Sequence, residues 1–212
     1  MEKVKSILVP FGYPDYPQDV VERFISESEE MLKGLDIDLK TTRAVIRLED
    51  VPSVVKEIRE SEFDLIIALL VSWVEAPNVV ATLRDFFTRP ILLWSHTTYM
   101  EDGVRITLGP MPAAGVLRET FEEMGVNFKF VYGMPDSKGV REEISSYAKV
   151  ARALRSLQRS RVGLFGYFSM GMYTGAFDHT KVRGTLGPEI VHLDQYLIVK
   201  RAESVKEGEV RE

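Results

Sequence analysis

Residues 65–71, Leu65-Ile66-Ile67-Ala68-Leu69-Leu70-Val71, include no polar side chain. Seven residues are too few for a typical buried helix and suit a strand covered on both faces, as in the centre of a parallel sheet. Parallel neighbours need long crossover connections, most often helices, so this one segment commits the rest of the chain to alternating strands and helices.

The flanking sequence follows that alternation. Residues 6–10 form a short apolar, β-rich run ending at Phe11-Gly12-Tyr13-Pro14, and residues 19–32 repeat apolar positions at helical spacing before Gly34. A weaker strand is expected at 39–46, then a helix with Pro52 in its first turn and Val54, Val55 and Ile58 on one face. After the strand at 65–71 come a helix at 78–87, a strand at 91–94, a polar and glycine-containing loop at 95–110, a helix at 113–124 and a strand at 128–132. Strict β/α alternation sustained this far predicts a doubly wound, Rossmann- or flavodoxin-like α/β sheet. A long helix at 139–158 ends in Arg152, Arg155, Arg159 and Arg161, which suit the negative end of its dipole and also a phosphate or acidic partner. Beyond it the tripeptide Phe11-Gly12-Tyr13 recurs as Phe165-Gly166-Tyr167, again at the end of a strand-like segment. A second α/β unit therefore begins near residue 161, with a helix-like stretch at 177–185, a strand at 189–193 and a charged tail to Glu212. Two strands make no stable sheet alone, so residues 1–160 are expected as the first domain and 161–212 as an incomplete β-α-β opening of a second.

Composition narrows the possible roles. The 212 residues carry 27 Lys+Arg against 32 Asp+Glu, a net charge of −5, which disfavours a phosphate-backbone binder and hence nucleic acid. The longest nearly apolar run, 65–74, is half of what a bilayer-spanning helix requires, and residues 1–6 lack a signal-peptide pattern, so a cytoplasmic protein is expected. The absence of cysteine excludes disulfides, thiolate catalysis and zinc-thiolate sites. Two Asn and three Gln among 28% charged residues lean toward a heat-adapted source.

No Walker A sequence, no GxGxxG after the first strand and no GxSxG elbow is present. His96, His179 and His192 lack metal-ligand spacing; His192 reads as a strand residue, and His96, just past the strand at 91–94, either organises a turn or faces a ligand. Two loops at carboxyl strand ends combine aromatic with polar side chains. Gly12-Tyr13-Pro14-Asp15-Tyr16 follows the first strand and Ser72-Trp73-Val74-Glu75 the third. Flat apolar faces beside carboxylates and hydroxyls suit a sugar, which makes Tyr13, Tyr16, Trp73 and Glu75 candidate substrate-binding residues. The same rings also suit closure of the core end or contact with another subunit.

Four stretches stand together in order: Val9-Pro10-Phe11-Gly12-Tyr13; Leu70-Val71-Ser72-Trp73; 128–133 with the helix bearing Ala148, Ala151 and Ala153; and 161–166 running through Gly171-Met172-Tyr173, Phe177-Asp178 and 186–194. Their order resembles the L-fucose isomerase and L-arabinose isomerase superfamily, particularly its fucose-isomerase-like members. The resemblance implies aldose–ketose isomerisation with Mn²⁺ or a similar divalent ion, through a metal-bound carboxylate pair that moves a proton between C1 and C2. It implies two successive Rossmann-like domains with the metal ligands beyond residue 212, so that no catalytic or metal residue and no tight Mn²⁺ binding is expected in this chain. It further implies that Trp73, the Tyr13 loop and Met172 approach the sugar at a subunit interface, in a homo-oligomer or with a C-terminal complement. The polar side chain that some relatives carry at the Tyr13 loop is absent here. A reading from the residues alone remains beside it, that of a non-catalytic flavodoxin-like module holding a small ligand.

Overall fold

The computed structural model describes residues 3–166, 172–206 and 208. They fall into two compact units, Met1–Arg152 and Ala153–Glu212.

The first unit is built on five parallel strands: β1 (Val4–Phe11), β2 (Ile37–Thr41), β3 (Leu65–Leu70), β4 (Ile91–Ser95) and, after the hairpin β5 (Tyr99–Glu101) and β6 (Val104–Ile106), β7 (Phe128–Tyr132). Their order is β2-β1-β3-β4-β7, the doubly wound order of flavodoxin-like sheets. The α/β expectation is thereby met. Helices α1 (Gln18–Lys33), α2 (Val51–Arg59), α3 (Ala76–Leu83) and α4 (Pro110–Glu123) supply the crossovers, and α5 (Lys138–Arg159) follows β7.

Alternation along each strand divides the core in two. Ile7, Val9, Phe11, Ile66, Ala68, Leu70, Ile91 and Leu93 face α2, α3 and α4 through Val54, Ile58, Val79, Leu83, Leu117 and Phe121. Leu8, Leu65, Ile67, Leu69, Leu92, Trp94 and Val131 face Val21, Phe24, Met31 and Leu32 of α1 and Val140, Ile144, Ala148 and Ala151 of α5. Every residue of β3 is buried, as its unbroken apolar run requires.

Three local differences from the sequence reading have simple causes. The strand expected at 39–46 ends at Thr41, and Val45 rejoins β1 only through a single parallel bridge to Phe11. The helix expected from Asn78 starts at Ala76, because Pro77 is well placed in a first turn, where its missing N–H has no partner to lose. The loop at 95–110 holds the hairpin β5–β6, turned by Asp102 and Gly103 with φ of 49° and 78°.

In the second unit, β8 (Arg161–Phe165) and β9 (Glu189–Leu193) pair in parallel as a separate two-stranded sheet, linked by α6 (His179–Thr185) and followed by α7 (Tyr196–Ser204). The stretch after β9, to which the sequence reading assigns no element, thus contains a helix. Neither α6 nor α7 has a buried residue, and Phe165 is 54% exposed. Gly187, at φ 100°, lies where a Cβ would be 2.9 Å from Gln158 Cα, so a side chain there is excluded. Among the described residues no helix is long and apolar enough to cross a membrane. Tyr167, the last residue of the repeated tripeptide, and Gly171 lie outside the described residues.

Candidate functional site

The chain passes from β1 to β2 on one side and then to β3 on the other, so the crevice beyond the carboxyl ends of β1 and β3 is the topological switch point. The two aromatic loops read from the sequence both end there. Ser72, fully buried, ties them together: its Oγ accepts the Tyr13 N–H at 3.0 Å and donates to the Trp73 carbonyl at 3.0 Å. Gly12 makes the approach possible, because a Cβ at this position would meet Ile46 Cδ1 at 2.9 Å and Ser72 Oγ at 3.4 Å.

A third segment, not foreseen from the sequence, joins them. The Trp73 N–H donates to the Leu108 carbonyl at 2.6 Å, and Gly109 takes φ 75° directly before α4. A Cβ on Gly109 would lie 3.0 Å from the Tyr16 hydroxyl and 3.4 Å from Trp73 Cβ. The signal was the glycine before Pro110, which starts the helix, but the sequence gives no hint that this turn returns to Trp73.

Tyr13, Tyr16 and Trp73 are half-buried, while Glu75 is exposed. Tyr16 packs on the α1 side of the core and Trp73 on the α3 and α4 side, so their rings cap both halves of the sheet end and leave part of their surface to solvent. Glu75 precedes α3; its Oε2 accepts from Asn78 Nδ2 at 3.2 Å and its carbonyl accepts the Asn78 N–H. Gln18 closes the first loop, its amide donating to the carbonyls of Tyr13, Pro14 and Tyr16. Four of the five candidate binding residues thus lie on the two loops at the carboxyl ends of β1 and β3. Met172 belongs to the second unit and is 51% exposed.

His96 is only 1% exposed, directly after β4. Its ring makes edge contacts with Phe24 and Trp94, and its Nε2 lies 3.0 Å from Ser28 Oγ. The Ser28 hydroxyl already donates to the Phe24 carbonyl at 2.7 Å, so Nε2 must carry the proton and Nδ1 is a bare acceptor. Nδ1 finds no partner among the described residues, and burial holds the imidazole pKa down to about 3, so the ring is neutral. This is a core histidine. His192 Nε2 contacts the ring of His179 at 3.1 Å, and Arg152 faces Asp36 at 3.8 Å.

Among the described residues no three His, Asp or Glu side chains gather in a way that could hold a metal ion. The residues described therefore offer no ligand set that fits the divalent ion implied by the family resemblance. What the crevice can do chemically is hold a ligand with apolar faces and hydroxyl edges.

No family model matches the chain. It is 22% identical over 210 residues to the sulfoquinovose isomerase of Priestia aryabhattai, and equally so to that of Priestia megaterium (strain ATCC 12872 / QMB1551). In each case 99% of this chain and 47% of the relative are aligned, so the chain spans about half the length of the curated relatives it matches. Along nearly its whole length, the chain is similar to sugar isomerases.

Proposed function

We propose that this chain serves an aldose–ketose isomerase of carbohydrate metabolism, of the fucose/arabinose isomerase type, and that its part is to hold the sugar. The observation that carries the reading is similarity to sugar isomerases across 99% of the chain, and the crevice at the β1/β3 switch point supplies a location for the substrate. There the ring faces of Trp73, Tyr13 and Tyr16 pack against sugar C–H groups, while Glu75 accepts hydrogen bonds from sugar hydroxyls. The sugar lies between this rim and a second subunit, which is the arrangement implied by the family resemblance. Proton transfer between C1 and C2 needs an acid/base pair next to the substrate carbons, and no step of it is assigned to the residues described here.

Fluorescence tests this directly, because Trp94 is fully buried and Trp73 is half-buried, so a sugar at the rim perturbs chiefly Trp73. Titration with pentoses and 6-deoxyhexoses should give a saturable change that Trp73→Ala abolishes. If no sugar gives a saturable change, the reading fails. The strand order favours one other reading, a flavodoxin-like small-ligand module, and saturable binding of flavin or nucleotide without any sugar response would establish it instead.

A further inference from the structure

The crevice rim is short of everything that holds an anion. Segments 12–19, 72–78 and 107–112 contain no Lys, Arg or His, and they carry three carboxylates, Asp15, Asp19 and Glu75, all exposed. Backbone N–H groups could substitute for cations, as they do in anion-binding nests and at helix N-termini. Here six of them are already engaged. Gly12 N–H donates to Val45, Tyr16 N–H to Tyr13, Trp73 N–H to Leu108 and Asn78 N–H to Glu75, all at carbonyls. Tyr13 N–H donates to Ser72 Oγ and Gly109 N–H to Thr107 Oγ1 at 3.0 Å. Two of the helix starts that follow the rim loops are also depleted, since Pro77 lies in the first turn of α3, and Pro110 and Pro112 lie in that of α4. Proline has no N–H to offer.

We infer that this rim selects an uncharged sugar and discriminates against an anionic one, an inference that rests on the sugar-holding role proposed above. The sulfonated sugar in the relatives' name makes the point testable, because sulfoquinovose differs from quinovose, 6-deoxyglucose, only by a sulfonate in place of one hydrogen on C6. A sulfonate is ionised at every working pH and would meet three exposed carboxylates and no cationic side chain in these segments.

The test is a matched titration of the full chain with quinovose and with sulfoquinovose, followed by Trp73 fluorescence at low and high salt. Quinovose should bind roughly tenfold more tightly at low salt, with the gap narrowing as salt screens the rim. Glu75→Gln should narrow it as well, and the salt series keeps the test independent of that variant. Equal or tighter binding of sulfoquinovose overturns the selectivity and leaves the sugar site standing. A preference for quinovose that neither salt nor Glu75→Gln changes overturns its electrostatic cause. Binding of neither sugar overturns the sugar-holding role and the selectivity with it.

Discussion

Acid should destabilise the first unit through His96, and the size of the effect follows from its surroundings. The ring is enclosed by Phe24 and Trp94, its Nε2–H is held by Ser28, and its Nδ1 faces no acceptor among the described residues. Protonation would place both a charge and an unpaired N–H in an apolar interior. The folded-state pKa is therefore about 3, against an ordinary value of 6.5. Because the folded pKa is depressed, the unfolded chain binds the proton first. Stability is complete above about pH 6.5 and declines as pH falls from there toward about 3. Each pH unit in that window is worth about 1.4 kcal/mol, so lowering the pH by about two units below 6.5 removes about 2.7 kcal/mol, a large part of a typical domain's stability. Urea unfolding followed by tryptophan fluorescence at pH 7 and pH 4.5 measures it, since both tryptophans lie in the first unit. The same pair of measurements on His96→Leu subtracts the contribution of other titrating groups. NMR titration of His96 in the wild type supplies a readout that does not depend on the variant folding. A His96 signal that titrates near pH 6 in the folded protein, or a pH dependence unchanged in His96→Leu, would refute the reasoning.

Two further substitutions test the fold and the crevice. Ile67→Ala removes a fully buried side chain from the central strand and should cost about 2–5 kcal/mol in urea unfolding at neutral pH, with no effect on the strand order. Ser72→Ala deprives the Tyr13 N–H of its acceptor and the Trp73 carbonyl of a donor, a loss of about 1–3 kcal/mol. Its signature is faster hydrogen exchange at Tyr13, together with weaker sugar binding, while the exchange of β3 amides stays slow.

Much of the fold was legible because one-dimensional patterns report directly on burial. The unbroken apolar run of β3 needs cover on both faces wherever it lies, and the spacing of Val54 and Ile58 needs a helix. The hairpin at Tyr99–Ile106 escaped because three-residue strands are too short to show a period, although the Asp102-Gly103 pair is a strong turn signal. The helix Tyr196–Ser204 escaped because its apolar residues 196–199 run together instead of recurring at helical spacing.

By itself the sequence determined the fold class, the identity of the aromatic loops and their position after strands, all of which depend on neighbours along the chain. Only the tertiary structure decided that β1 and β3 lie side by side, so that loops 59 residues apart share the hydroxyl of Ser72. It also brought Gly109 against Tyr16 and Trp73 and enclosed His96 in the core. Such contacts depend on which strand crosses over which, a choice made by the packing of both sheet faces together and left open by any single segment.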